Sequence, residues 1–518
     1  MARRDISPSS AGRRRREGKG TTGAKRLPQL SWQTVRNPYP PFEIASADEI
    51  EAVHEASLEV LQEIGINFLL GEARDILKAA GADVDPDGTR VRFDRAMVEE
   101  LIAKAPSQFT IHARNPDRSR VFGGNLINFF PVAGNPNISD IEGGRRSGNL
   151  ADYRDLLRLA QVINAVHGCT PMLEPIDVEP NIRYLDIVAE QLLITDKIAF
   201  GYSLGRRKIL DALEMVRIAR GIDEATLLAE PSMWTVVNAN SPLQLDIPML
   251  IGMIEMARRQ QPVVVTPFTL AGAMAPVSIA GALTQQNAEA LAGISFIQIV
   301  GPGCPVVYGG FTSNVDMRSG APAFGTPEYV KAVLVGGQLA RRYRLPYRSS
   351  NVNASNWPDA QATYEGVMSL WATVLSHTNM IMHSFGWLEG GLRGSFEKIV
   401  IDLETVQTMM KAFEPVDFSR DELGLDAMRE VGPGGHYFGA QHTLARYETA
   451  FYQPILSDWR NWETWQQDGA LDATQRAHRI YKELLAEYEA PPMDPAIREE
   501  LTAFIARRKR EGGATADD

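Results

Sequence analysis

The stretch LPYRSSNVNASNWPDAQATYE, residues 345–365, opens like a buried strand and then places Arg348, Ser349, Ser350, Asn351, Asn353 and Asn356 in close succession. An arginine presents a planar fork that grips a carboxylate through two parallel hydrogen bonds, and neighbouring amides can extend the grip. Two further stretches concentrate aromatic rings. YGGF carries Tyr308 and Phe311, and HSFGWLEGG carries His383, Phe385, Trp387 and Glu389. Ring faces attract cations, quaternary ammonium groups among them. The chemistry on offer is recognition of a small molecule with one cationic and one anionic end. An aromatic also fills a core, and Arg318, Arg348 or Arg393 also pairs with a structural acid, so residue types alone leave both readings open.

Stronger signatures are missing. There is no HExxH or CxxC pair, no GxSxG elbow, no GxxxxGK[ST] and no convincing GxGxxG. His436 and His442 stand six apart in a glycine-rich loop, a spacing more often structural than ligating. No intrinsic metal is expected.

These residues need a frame. Beyond about residue 120, apolar runs alternate with amphipathic stretches: LINFFPVA, HGCTPMLE, KIAFGYSL, SMWTVVNA, PVVVTPFT, CPVVYGGF, LPYRSSNV and TNMIMHSF are the strands. Eight strand–helix units predict a parallel sheet closed into a (β/α)8 TIM barrel, with an open doubly wound sheet as runner-up. In such barrels the site lies at the C-terminal strand ends. That rule collects Asn135 and Asn137, Glu174, Tyr202, Asn238 and Asn240, Phe268, then Tyr308, Phe311 and Asp316, the 345–365 stretch, and finally His383, Phe385, Trp387 and Glu389. The polarity of RSSNVNASN then reads as a strand end facing a wet mouth.

Around this α/β barrel the chain divides as follows. Residues 1–37 form a basic flexible arm, 38–120 a mainly helical region, 121–415 the catalytic barrel and 416–518 a helical extension. Ser46 and Glu49 predict a capping box, with Gly65 closing the helix. The 518 residues carry a net charge of −11, which disfavours nucleic acid as a partner of the folded body. No apolar run is long enough for a membrane span. Cys169 and Cys304 rule out a disulfide framework and fit a reducing, cytoplasmic setting.

FPVAGNPNISD, GTPEYV, LPYRSSNVNASNWPDAQATYE, GWLEGGL and GPGGHYFGAQHT together resemble the trimethylamine methyltransferase family over nearly the whole chain. The resemblance implies a (β/α)8 barrel and methyl transfer to the cobalt of cobalamin, a corrinoid carried by a separate partner protein, since no DxHxxG corrinoid-binding motif is present. Archaeal members carry pyrrolysine, whose electrophilic ring captures a tertiary amine. Ungapped spacing puts Val352 at that position, and no pyrrolysine occurs anywhere in the chain. The chain therefore looks like the non-pyrrolysine branch, which includes glycine betaine:corrinoid methyltransferases. A quaternary ammonium needs no activation, because losing a methyl leaves a neutral amine.

The resulting expectation is a methyltransferase acting on glycine betaine or a similar quaternary amine. The catalytic positions are Val352, His383 and Glu389. The substrate-binding positions are Tyr308, Phe311, Arg348, Asn351, Phe385 and Trp387. Other betaines (proline betaine, carnitine, γ-butyrobetaine) and a non-catalytic betaine-binding barrel are the alternatives. The resemblance and the basic arm imply a homo-oligomer.

Overall fold

A computed structural model of the chain describes residues 27–515; most of the basic N-terminal arm, including Arg13 to Arg16, lies outside them. Eight short strands form the main sheet: β1 Val35–Arg36, β2 Leu126–Pro131, β3 Ala199–Phe200, β4 Met233–Val237, β5 Val263–Val265, β6 Val306–Gly309, β7 Tyr347–Ser350 and β8 Met380–Phe385. Their order is β1-β2-β8-β7-β6-β5-β4-β3. All neighbours pair in parallel except β1, which runs antiparallel against the start of β2. Helices between successive strands cover the outer face, which is why most strands read as continuous apolar runs.

The sheet curls strongly, so β2 and β3 approach one another. Residues 167–171 lie between them. His167 N donates to Phe129 O at 2.9 Å, Gly168 bridges Ile198, and Cys169 N donates to Ile198 O at 2.9 Å. The run HGCTPMLE therefore contributes a single bridge where a full strand was expected. Pro171 lacks an N–H for the ladder, and Gly168 has Ile198 and Phe130 packed where a Cβ would stand.

The N-terminal region holds the three expected helices, of which α1 Ala47–Glu59 is the first. Ser46 and Glu49 complete the capping box that starts it, and Gly65, at φ +77°, ends a π-helical turn that extends it. The region is less purely helical than its periodicity suggested. Short strands at Ile66–Phe68, Asp83–Val84 and Arg90–Arg92 form a small sheet with Gln244–Leu245. A hairpin, Gln108–Ile111 with Arg120–Gly123, closes one end of the curled sheet. Its Phe109, Ile111 and Phe122 join Phe130, Trp234, Val307 and Met382 in a core cluster inside the curl. Strands of two to four residues carry too little alternation to be read from sequence.

Beyond β7, α2 Ala360–Leu375 and α3 Phe396–Ala412 cover the last two strands. Three short helices follow, α4 Leu425–Val431, α5 Gln441–Arg446 and one at Trp462–Gln467, and then α6 Ala473–Ala486, which packs on α3. Among the described residues no helix is long and apolar enough to cross a membrane.

Candidate functional site

A cavity of about 330 Å³ opens at the C-terminal ends of the strands, on the side away from the hairpin. Its wall includes Phe268, Phe311, Arg348, His383, Trp387 and Tyr202, and Met382 lies among its lining side chains. Four of the nine expected site residues, Phe311, Arg348, His383 and Trp387, are thus brought together.

The aromatic part is built from three elements. Phe311 opens a strand beyond β6 that pairs with Phe268–Ala271, and the Phe311 and Phe268 ring centroids are 5.1 Å apart. Trp387 stands edge-on to Phe311 at 6.2 Å, and Phe324 stacks behind Phe311 at 5.7 Å. Asn353 fixes the indole. Its Nδ2 donates to Trp387 O at 2.7 Å, while Trp387 Nε1 donates to Asn353 O at 3.1 Å. Phe324 carried no signal in the sequence, because the loop before it has no periodicity.

His383 enters the cavity through a bulge. The register of β8 against β2 shifts between Ile381 and Phe385, and His383 adopts φ +57°. Bulges re-aim side chains in this way, and a non-glycine residue at positive φ marks a position held by its surroundings. The ring lies 4.1 Å from Trp387, and Nδ1 meets Ser350 Oγ at 3.1 Å. Burial, with the Arg348 charge adding to it, holds its pKa well below the usual histidine value. The ring is neutral at pH 7.

Arg348 sets the electrostatics. Its side chain is buried at 4% exposure. Nε and Nη1 have no hydrogen-bond partner, and no carboxylate pairs with it among the described residues. Burial lowers its pKa to about 10, so it keeps its charge at neutral pH. The guanidinium carbon lies 5.0 Å from the Phe311 centroid. A buried charge without a counter-ion is costly. Elsewhere on the wall, the Tyr202 hydroxyl donates to Glu174 Oε1, and burial pushes that phenol's pKa well up, so it remains a donor.

The other expected residues stand elsewhere. Tyr308 faces the helices, because Val307 beside it takes the inward position and side chains alternate. Its hydroxyl donates to Asn287 Oδ1 at 2.9 Å. Asn351 points toward α3, with Nδ2 at 3.4 Å from Asp402 Oδ1. Phe385 is fully buried outside the lining, and so is Val352, whose carbonyl accepts from Ser369 Oγ at 2.9 Å. Glu389 lies at the rim, with Oε2 at 3.1 Å from Arg145 Nε and 3.4 Å from Arg393 Nε.

The polar stretch itself has another cause than a wet mouth. Ser349, Ser350, Asn351 and Asn353 are all buried. Protein groups take most of their hydrogen bonds: the Tyr329 hydroxyl donates to Ser350 O, and Asn353 holds Trp387. These residues wire strand ends together.

Glu51, His54 and Glu55 form the one cluster among the described residues compact enough for a cation. His54 Nδ1 already meets the Tyr343 hydroxyl at 2.8 Å, and Glu51 pairs with Arg342.

His167 is buried and depressed like His383. As pH falls below the ordinary histidine value of 6.5, the unfolded chain takes up protons that these native rings refuse, so stability must fall. The slope is about 1.4 kcal/mol per pH unit for each ring. Urea midpoints measured from pH 7 to pH 5 are expected to decline, and His383→Gln should flatten the decline by one such increment. A variant as steep as the wild type would mean that His383 titrates normally.

The family model described as Trimethylamine methyltransferase (MTTB) matches residues 10–513. The chain is 36% identical over 477 residues to a glycine betaine methyltransferase of Desulfitobacterium hafniense (strain Y51), covering 92% of this chain and 98% of that one. It is 28% identical over 472 residues to the trimethylamine methyltransferase MttB of Desulfitobacterium hafniense (strain DSM 10664 / DCB-2), covering 90% and 94%. The crystal structure of the Methanosarcina barkeri monomethylamine methyltransferase superposes with a TM-score of 0.46 at 9% identity, covering 90% of this chain and 89% of that one.

Proposed function

The chain belongs to the trimethylamine methyltransferase family, and from that premise we propose that it moves a methyl group from a betaine to a reduced corrinoid carried by another protein. The observation that carries the substrate class is Arg348. A buried, unpaired guanidinium beside an aromatic cluster suits a ligand with a carboxylate at one end and a quaternary ammonium at the other. A cation without a carboxylate would meet an uncompensated positive charge there. Glycine betaine is the reading favoured by the 36% identical relative.

In this reading Arg348 holds the carboxylate, and Phe311, Phe268 and Trp387 surround the ammonium. Neutral His383 packs against Trp387 without adding a second positive charge. The nucleophile of the external corrinoid attacks one methyl carbon, the C–N bond breaks, and its electron pair stays on nitrogen as a neutral tertiary amine. The protein supplies position and dehydration. Position 352, which the family resemblance aligns with pyrrolysine, holds a buried valine that offers no electrophile, charge or proton; direct displacement needs none. Glu389 stays a rim residue, tuning the field through its arginine pairs.

The scaffold in this reading is a closed (β/α)8 barrel, with residues 167–171 as its eighth, irregular strand. Their hydrogen bonds to both β2 and the start of β3 support that closure. A reducing cytoplasmic setting agrees with two buried free cysteines.

The test is to mix purified protein with cob(I)alamin and offer glycine betaine, then longer betaines, tetramethylammonium and trimethylamine, following methylcobalamin by its absorbance. Methylation from a betaine, with none from the two carboxylate-free amines, is expected. Equal rates with tetramethylammonium would remove the role given to Arg348. No transfer from any betaine, with a corrinoid carrier from the same genome supplied, would favour a barrel that binds without catalysing.

A further inference from the structure

We propose that Glu174, acting through Tyr202, is the negative pole that orients the substrate and favours ligands carrying a cation over ligands of the same shape without one. The proposal rests on the betaine reading above and adds a positioning residue to it. Among the described residues Arg348 is the only charged side chain lining the cavity. A lone positive charge attracts a carboxylate but does not hold the other end of a zwitterion.

The strand order supplies that other end. β3 stands four places from β7 by either route, through β4, β5 and β6 or through residues 167–171, β2 and β8. The wall at the end of β3 therefore faces Arg348 across the cavity. Phe200 and Tyr202 lie two apart and share the inward face. Their rings meet edge-on with centroids 5.4 Å apart, and the Tyr202 hydroxyl donates to Glu174 Oε1.

The backbone fixes Glu174 in this place. Pro171 lines the cavity, and three residues on, Glu174 N donates to Asn135 O at 3.0 Å, which holds the carboxylate at the hydroxyl edge of the Tyr202 ring. The nearest cation is held by other groups. Arg183 Nη1 is 3.8 Å from Glu174 Oε2, while Arg183 Nε and Nη2 both donate to Val178 O. A buried phenol needs an acceptor, but a backbone carbonyl serves as well, as Ile187 O does for Tyr153. A carboxylate in that position adds a charge that the hydrogen bond alone does not require. Donation to an anion also polarises the phenol and enriches its oxygen and ring, which a cation prefers.

The field from Arg348 to Glu174 suits a zwitterion in one direction only. Reversed, the substrate would set its carboxylate toward Glu174 and its ammonium against Arg348, and both contacts repel.

Calorimetric titration of the purified full chain with glycine betaine and with tert-butylacetate tests this. The two ligands share a shape and a carboxylate, and carbon replaces the charged nitrogen in the second. The wild type is expected to bind glycine betaine more tightly. Glu174→Gln should cut that preference roughly tenfold, while tert-butylacetate binds no more weakly than before. Glu174→Asp, which keeps the charge, should recover part of it. A Gln variant that keeps the wild-type preference, or that weakens both ligands equally, overturns the proposal and leaves the betaine reading standing. A wild type that binds neither ligand overturns both. Should Glu174→Gln fail to fold in a thermal melt, Tyr202→Phe decides. It keeps the ring and removes the link, so an undiminished preference sinks the idea.

Discussion

Replacing Arg348 by methionine is expected to abolish almost all betaine turnover while leaving the protein as stable as before, or more so. The two effects separate because the guanidinium has no carboxylate partner among the described residues, and its Nε and Nη1 have no hydrogen bond. Removing an uncompensated buried charge relieves a desolvation cost, and methionine restores most of the stem's volume. In the complex the same group would be half of a desolvated ion pair. Truncating one member of such a pair costs about 3–5 kcal/mol, or roughly two to nearly four orders of magnitude in kcat/KM. Turnover read by methylcobalamin absorbance and stability read by a thermal melt give the two numbers. Tetramethylammonium, which has no carboxylate, should bind the variant better than it binds the wild type. A variant that melts much earlier while keeping its kcat/KM would show that Arg348 serves the fold.

The largest expected loss of stability lies one layer behind the site. Lys398 and Asp402, one turn apart on α3, form an ion pair with side chains 0% and 3% exposed. Asp402 Oδ2 also accepts from Gly386 N at 2.8 Å, between His383 and Trp387. Burial already raises the Asp402 pKa even though Lys398 opposes the shift. In Lys398→Met the carboxylate loses its counter-ion, and breaking a buried pair from one side costs about 3–5 kcal/mol.

The pH dependence of that variant follows from the sign of the shift. Without Lys398 the native carboxyl binds its proton more tightly, while the unfolded one releases it above about pH 4. Stability of the variant should therefore fall as pH rises above about 4, by about 1.4 kcal/mol per unit, until the native group ionises, and it should part from the wild type above the pH at which Lys398 lets the wild-type carboxyl ionise. Urea midpoints at several pH values measure it. The double variant Lys398→Met, Asp402→Leu should recover most of the loss. If the single variant were as stable as the wild type at every pH, the pair would not be an ion pair in the folded chain.

Much of this frame was legible in the sequence, because parallel strands covered on their outer face by helices leave apolar runs that alternate with amphipathic ones. All eight runs lie on the curled sheet or between its edges. What escaped reading has physical causes. The run at 167 looks like a strand by composition, but strand extent depends on hydrogen bonds that Pro171 cannot donate. Tyr308 shares a strand end with Phe311, and only the inward placement of Val307 reveals that Tyr308 faces the helices. The bulge at His383 reverses the same kind of reasoning, since it brings inward a residue that strict alternation after Met382 sends out. The polar run after Arg348 was readable as unusual, but composition does not distinguish water from Trp387 and Asp402 as its partners. Arg348 itself was identifiable as a candidate, whereas its lack of a counter-ion is a property of three-dimensional neighbours.

The hairpin that fills the inner end of the curled sheet has a kinetic consequence. Phe109, Ile111 and Phe122 pack against Phe130 and Trp234 and fill the centre, so among the described residues the cavity opens at the strand ends. Under the proposed reaction, substrate, acceptor and demethylated product all share that one doorway. The amine must enter before the acceptor protein seats and leave after it departs. Turnover is then a compulsory-order queue, and an excess of carrier slows it by waiting at the door.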